Sequence, residues 1–262
     1  MPQTSALLNV MIAAARKAAR TLARDFGEVE QLQVSRKGPS DFVSAADLKA
    51  EKTLFEELSK ARPGYGFLME ERGEVPGTDK TNRWIVDPLD GTTNFLHGVP
   101  HFAISIGLER EGVLVAGVVY NMVRDELFWA EKGAGAFLND RRLRVAARTE
   151  MRDAIFATGA PFHGQPGRGQ FLQEADRVLN VSAGVRRFGA ASLDLAYVAA
   201  GRFDGFWERN LGPWDVAAGA IIVREAGGFV KEIDGGDFLK TGHIIAANER
   251  LLPLLTKTVR GA

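Results

Sequence analysis

The sequence predicts a layered α/β structure in two lobes: a largely antiparallel sheet with helices over residues 1–148, then an alternating α/β lobe over 149–262. Three observations predict it. Apolar residues recur at helical spacing in two early stretches. Runs of β-branched and aromatic residues separated by short turns follow. Beyond about residue 150 the two patterns alternate. No linker, low-complexity tract or repeat divides the chain, so the lobes read as parts of one unit.

The first helix is marked by Leu7, Leu8, Met11, Ala15, Ala18, Leu22 and Phe26 on one face, and Gly27 is placed to end it. "EQLQVSRKGPSD" begins with alternation at Leu32 and Val34, then breaks into a loop at Gly38-Pro39. Ser44-Ala-Ala-Asp47 has the form of a capping box before a second helical run containing Leu48, Leu54, Phe55 and Leu58. A polar stretch from Glu70 to Asn82 leads into an apolar strand at Trp84. "HFAISIGLER", "GVLVAGVVYNM", "ELFWAEKG" and "GAFLNDRRLRV" predict strands joined by turns. Helices are predicted at 170–180, 191–201, 214–227 and 249–259, with strands near 154–158, 185–188, 204–208 and 243–248.

Composition narrows the function classes. With 262 residues, 45% of them hydrophobic, the chain can bury a substantial core. Lys plus Arg equals Asp plus Glu at 33 each, so net charge gives no general hold on nucleic acid or anionic membrane. The absence of cysteine excludes disulfides, thiolate nucleophiles and Cys-ligated zinc, and fits the cytoplasm. The N-terminus lacks the uninterrupted apolar core of a signal peptide. No run approaches the roughly 20 apolar residues that span a bilayer.

The chemistry concentrates in "WIVDPLDGTTNF", residues 84–95. Asp87 and Asp90 sit where an apolar strand ends, and Pro88 cannot donate to a central ladder there. Two carboxylates this close repel unless one is protonated or a cation lies between them. The following Gly-Thr-Thr-Asn can present backbone N–H groups to an anion. Carboxylates for a hard cation beside amides for an oxyanion point to a metal-and-phosphate site, for which Mg²⁺ is suited. The structural alternative is a helix start decorated with acidic caps. Taken singly, Glu70 and Glu71 read as a solvated face and Asp215 as the cap of an apolar helix, while Asp47 could simply be the partner of Ser44.

Taken together, "MEE", "WIVDPLDGTTNFLHGVPHFAISIG" and "PWDVAAG", in this order, resemble the inositol monophosphatase family. "KGPSDFVSAAD", "GAASLDLAYVAAGRFDGFWE" and "IIVREAGG" extend the similarity over most of the chain. The sulfur-assimilation nucleotide phosphatases of the same superfamily usually carry a Lys-Glu-like pair after Asp-Gly-Thr, where this chain has Thr93-Asn94-Phe95.

The resemblance implies an αβαβα sandwich and Mg²⁺-dependent hydrolysis of inositol 1-phosphate or a similar polyol phosphate, with two or three ions per site. Glu70, Asp87 and the Leu89 carbonyl are implied to hold one ion, and Asp87, Asp90 and Asp215 a second. A third, weaker ion near Glu70 is implied to support the attacking water. Thr92, with Asp47 behind it, is implied to orient and help deprotonate that water. The N–H groups of Gly91 and Thr92 are implied to bind phosphate, beside Leu89, Asp90 and Asp215. Glu208 matches the acid that binds polyol hydroxyls, and Arg186 and the Ala191 backbone lie in the matching substrate region. A homodimer and sensitivity to Li⁺ are further implications. The usual glycine before the paired glutamates is Met69 here, and "RNLG" before Pro213 also departs from some relatives.

Two rivals stand beside this reading. A haloacid-dehalogenase-like phosphatase has its aspartates two apart, on one face of a strand, whereas residues i and i+3 of a regular strand face opposite ways. A regulatory binding protein is the other, because bacterial relatives include members that engage the transcription machinery. The preferred phosphomonoester (inositol 1-phosphate, glycerol phosphate, a nucleotide or a sugar phosphate) stays open at this stage.

Overall fold

A computed structural model describes residues 4–28, 34–38 and 41–262. Leu32 and Pro39, expected to flank a strand and its loop, lie outside the described residues. Helix α1 (Ala6–Phe26) starts on Ser5, whose hydroxyl accepts from the Leu8 N–H, and ends at Gly27 in a right-handed rather than left-handed conformation. Strands β1 (Val34–Gly38) and β2 (Asp41–Ser44) pair antiparallel. Helix α2 (Ala45–Ala61) begins with the predicted capping box: Ser44 accepts from the Asp47 N–H, and the Asp47 side chain accepts from Ser44.

Leu48 departs from the expected apolar face of α2 and is 54% exposed. The buried face instead follows Ala46, Ala50, Leu54 and Leu58, with Asp47 and Glu51 beside them. Leu48 lies two residues from both Ala46 and Ala50, roughly 160–200° of helix away, and so on the opposite face. Glu51 has a task there: its Oε2 accepts the N–H groups of Glu71 and Arg72 at 2.9 and 3.1 Å, which fixes the turn after Met69.

The larger sheet follows: β3 (Gly66–Met69), β4 (Gly73–Val75), β5 (Asn82–Asp90), a short helix α3 (Thr92–Leu96), then β6 (Ala103–Arg110), β7 (Val113–Asn121), β8 (Glu126–Glu131), β9 (Gly135–Leu138) and β10 (Arg141–Arg142). Its order is β10-β9-β8-β7-β6-β5-β3-β4, antiparallel throughout except for β3 against β5. The second half supplies β11 (Ile155–Thr158), α4 (Arg168–Leu179), β12 (Gly184–Arg186), α5 (Ala191–Ala199), β13 (Gly205–Glu208), α6 (Pro213–Glu225), β14 (Phe229–Glu232), α7 (Phe238–Thr241), β15 (Ile244–Ala247) and α8 (Leu251–Arg260). The smaller sheet has the order β12-β11-β13-β15-β14, with β11 parallel to both neighbours and the β15 pairings antiparallel.

Side-chain alternation builds five layers from these parts. Trp84 and Val86 of β5 face α1 and α2, while Ile85 faces α5 and α6. Phe206, Ile244 and Ala246 of the smaller sheet face α5 and α6 from the other side, while Trp207, Ile245 and Ala247 pack on α4 and α8. The order is therefore α1/α2, large sheet, α5/α6, small sheet, α4/α8, an α/β layered sandwich.

The middle layer is tight. A Cβ on Gly107 of β6 would sit 2.9 Å from the Ala217 Cβ, and one on Gly117 of β7 would sit 2.5 Å from Ile221 Cγ2 and 2.7 Å from the Ala218 carbonyl. These glycines are cross-strand partners. They let α6 rest directly on the sheet, which fixes where its first turn lies. Gly117→Ala is expected to cost about 1–3 kcal/mol, as overpacking does. The measurement is the urea midpoint, which should fall at unchanged m-value; an unchanged midpoint would mean that the helix simply moves aside.

Candidate active site

The site forms where β3, β5 and β13 end and where α3, α5 and α6 begin. Parallel pairing of β3 with β5 stops at Met69–Val86, and the Glu70 N–H still bonds the Val86 carbonyl at 3.2 Å. Met69 itself is fully buried in the layer under α1 and α2. β5 continues to Asp90, but its register on β6 slips between Asp87 (opposite Ser105) and Asp90 (opposite Ala103). Two residues, Pro88 and Leu89, thus face one, Ile104, which is a bulge. The proline expected to interrupt the ladder sits inside it.

This bulge answers the spacing question. A regular strand would turn Asp87 and Asp90 to opposite faces. One inserted residue restores the phase, and carboxylate oxygens of Asp87, Asp90 and Asp215 all lie within 4.8 Å of one another. In each aspartate one oxygen is held by a backbone amide. Asp87 Oδ1 accepts the Leu89 N–H at 2.8 Å, Asp90 Oδ2 the Ser192 N–H at 2.8 Å, and Asp215 Oδ2 the Gly212 N–H at 2.7 Å. The Ser192 hydroxyl adds a 2.5 Å bond to Asp90 Oδ2. Asp215 is therefore both the cap of α6 and a member of the cluster, one oxygen for each purpose.

Burial is the main force on these groups. It pushes Asp87 and Asp215 well above the ordinary carboxylate range, with neighbouring negative charge adding to it, including that of Glu70. Asp90 is pushed up to about 6 by burial, against the hydrogen bonds from Ser192. Like charges this close and this buried need protons or cations. The donor set is all oxygen, as a hard divalent cation requires. The residues fit a metal ion. Glu232, Asp234 and His243 also bring ligand atoms within 4.8 Å of one another, but Arg209 and Arg260 pair with Asp234 there.

A cavity of about 270 Å³ opens over the cluster. Glu70, Asp87, Leu89, Asp90, Gly91 and Thr92 line one side, and Ala191, Glu208 and Asp215 line the rest with Arg187 and Arg209. Gly91 has φ 93°, in the left-handed region, and a Cβ there would meet the His101 carbonyl at 3.0 Å. Thr92 Oγ1 lies 3.0 Å from both Asp47 Oδ1 and the Leu89 carbonyl. Asp47 also accepts the Ser44 N–H at 2.9 Å and a short bond from the Ser44 hydroxyl, and burial raises its pKa. It is a cap and a partner of Thr92 at once.

Glu208 ends β13 under Gly159, where any Cβ would overlap its carboxylate. Burial raises Glu208 to about 8, against the nearby Arg187 charge. Arg186 is placed elsewhere: it is exposed at the end of β12 and is not among the residues lining the cavity, whereas Arg187 is. The Ala191 backbone N–H contributes to holding Asp90. Sequence reasoning also missed Ser192 and Gly159. Ser192 carried a signal, a hydroxyl in the first turn of a predicted helix; Gly159 carried none before Glu208 was placed.

The fold and the cluster define a class: layered α/β proteins whose buried carboxylates, gathered from a strand end and a helix start, could hold a metal at the floor of an open cavity. The comparisons make the class specific. The profile of the inositol monophosphatase family matches residues 3–262. An inositol-1-monophosphatase of Caulobacter vibrioides is 63% identical over 96% of this chain and 100% of its own. The Nus factor SuhB of Escherichia coli is 42% identical over 97% of this chain and 96% of its own. The crystal structure of extragenic suppressor protein suhB from Bartonella henselae superposes with a TM-score of 0.95 at 59% identity, covering 98% of this chain and 99% of that one. The chain belongs to the inositol monophosphatase family, and the chemistry of that family is metal-dependent phosphatase chemistry.

The raised carboxyl pKa values have a consequence for stability. A carboxyl titrating higher in the folded than in the unfolded state penalises folding as pH rises through that interval. For Asp90 the interval runs from 3.8 to about 6. A bound divalent cation offsets the penalty, so Mg²⁺ is expected to raise Tm more at pH 8 than at pH 5. Asp90→Asn should raise the metal-free Tm at pH 8 and shrink the Mg²⁺-dependent rise. Thermal scans of both proteins check this; an equal rise at both pH values in the wild type would contradict it.

Proposed function

We propose that the chain hydrolyses inositol 1-phosphate or a similar polyol phosphate to free polyol and phosphate, with Mg²⁺ as cofactor. The observation that carries this is the convergence of Asp87, Asp90 and Asp215 beside Thr92 in a cavity that also contains Glu208. Glu70, Asp87 and the Leu89 carbonyl would hold one ion and Asp87, Asp90 and Asp215 a second, with a third, weaker ion near Glu70. Bound divalent cations supply positive charge for the phosphoryl and leaving oxygens and acidify an attacking water.

The chain's own groups do the positioning on which phosphoryl transfer depends. Thr92 Oγ1 donates to Asp47 Oδ1 and so offers its lone pairs to the attacking water. Asp47 is the proton acceptor behind it, with its other oxygen occupied by Ser44. The Gly91 and Thr92 amides bind phosphate. Glu208, protonated near neutral pH, can both donate to and accept from adjacent polyol hydroxyls, with Arg187 and the Ala191 backbone beside it. Arg187 takes the part in the substrate site that the sequence resemblance gave to Arg186.

The transcription-linked reading is the second, favoured by the identity to Nus factor SuhB. It fits this chain as an added role for a protein partner rather than for nucleic acid, since net charge is zero. Among the described residues no helix is long and apolar enough to cross a membrane. A cytoplasmic homodimer sensitive to Li⁺ completes the proposal, all three on family resemblance.

Phosphate release from inositol 1-phosphate should stop in excess chelator and return with Mg²⁺; Li⁺ should inhibit it where Na⁺ does not. Full activity in chelator would overturn the assignment. Thr92→Ala is expected to lower kcat by about 10²–10⁴, the range of general acid–base contributions, with Mg²⁺ half-saturation little changed. Asp47→Asn, which can still cap α2, should fall in the same direction; wild-type turnover in that variant would leave Asp47 as a cap alone. Complementation of a strain lacking the protein separates the two roles. Asp215→Ala should fail if the cellular role is catalytic and succeed if it is binding.

A further inference from the structure

Asn94 lies outside the carboxylate cluster, yet its side chain is tied to the opposite wall of the cavity. Its Nδ2 donates to the carbonyls of His101 and Phe188, both at 2.8 Å, and lies 3.4 Å from that of Gly189. Only the amide nitrogen can satisfy two carbonyls, so its orientation is fixed by its surroundings. The His101 carbonyl is the group a Cβ on Gly91 would meet, so Gly91 and Asn94 close around one oxygen.

A second tie joins the same two segments four residues earlier. Asp90 accepts the Ser192 N–H and hydroxyl, while Asn94 bonds Phe188. Residues 90–94 and 188–192 therefore form a closed frame, linked by Asp90 to Ser192 at one end and by Asn94 to Phe188 at the other. The rim of this frame lines the cavity: Gly91, Thr92 and Thr93 on one side, Gly189, Ala190 and Ala191 on the other. The segment from 188 to 190 contains Gly189, at φ 81° in the left-handed region, so it has no regular structure of its own to hold it in place.

We propose that Asn94 is a positioning residue for the metal and substrate site, acting by closing this frame so that Ser192 and Ala191 meet Asp90 at a fixed angle. The proposal deepens the phosphatase reading: its titrations rest on the metal site of that reading and its kinetic arm on the substrate. Removing the amide cuts the hydrogen bonds of residues 188–189 to α3 and leaves the Phe188 ring against His101 and Phe203 as their remaining hold, so Ser192 and Ala191 meet Asp90 from a looser segment. Outer hydrogen-bond partners of metal ligands typically matter about 10- to 100-fold in affinity or activity. Asn94 acts one link further out, which places its expected effect at the lower end, about tenfold.

The test uses the full chain. Calorimetric titration with Mg²⁺ alone, without substrate, is made on wild type, Asn94→Ala, Ser192→Ala and the double variant, alongside kcat/KM on inositol 1-phosphate. Asn94→Ala should weaken Mg²⁺ binding about tenfold, and the double variant should lose less than the two single losses combined, because both changes loosen one frame whose remaining tie is the residue-192 N–H to Asp90. Unchanged Mg²⁺ affinity in Asn94→Ala, or losses that simply add, would overturn the proposal. Should Asn94→Ala fail to fold, Asn94→Ser, which keeps a shorter donor, is judged by the same two criteria. A wild type that binds Mg²⁺ but releases no phosphate would refute the substrate reading and leave the frame to be decided by the titrations.

Discussion

The structure turns on the cost of holding three aspartates together out of water. Asp87, Asp90 and Asp215 come from a bulged strand and the first turn of a distant helix, and burial alone penalises the charge of each. Nothing in a hydrophobic core favours such an arrangement, and breaking or forming buried charge clusters involves several kcal/mol per ion. The fold tolerates it because one oxygen of every aspartate is already tied to a backbone amide. The cluster is thereby shaped before any cation arrives, and the remaining negative charge gives the cation its driving force.

That arrangement makes demands far from the site. Asp215 can reach the β5 aspartates only if α6 lies close against β6 and β7, and the facing glycines 107 and 117 provide the clearance. Asp90 can be held only if α5 begins beside it, and α5 is sandwiched between the two sheets. Glu70 follows a turn fastened by Glu51 on α2. All three inner layers of the sandwich contribute to one small volume, so loss of packing between them and loss of metal binding are expected to occur together.

Much of this was legible in the sequence, where a single local rule applied. The helical spacing of Met11, Ala15, Ala18 and Leu22 and the Ser44–Asp47 box gave α1 and the start of α2 because period and capping depend on near neighbours. The order β11 to α8 followed from alternating periods, although β14 and α7 escaped notice, because both sit in a stretch broken up by glycines and charges, from Gly227 to Gly242. What failed was information that passes through space. Leu48 reads as core until Asp47 and Glu51 are seen to need the buried face. Arg186 and Arg187 are indistinguishable until β12 is placed on β11. The three-residue spacing of Asp87 and Asp90 misleads until the bulge is known, since a single inserted residue reverses the side-chain phase. Family resemblance supplied the implied ligand roles; only geometry showed that Asp215 caps its helix and stands in the carboxylate cluster at once.

The Thr92 hydroxyl holds one further implication. It has one proton and two acceptors at the same 3.0 Å, Asp47 Oδ1 and the Leu89 carbonyl. The two acceptors are unequal, because a carboxylate accepts more strongly than an amide carbonyl, and the proton turns to Asp47. The Leu89 carbonyl then keeps its lone pairs for the cavity it lines, and a single proton fastens the second helix to the end of the bulged strand.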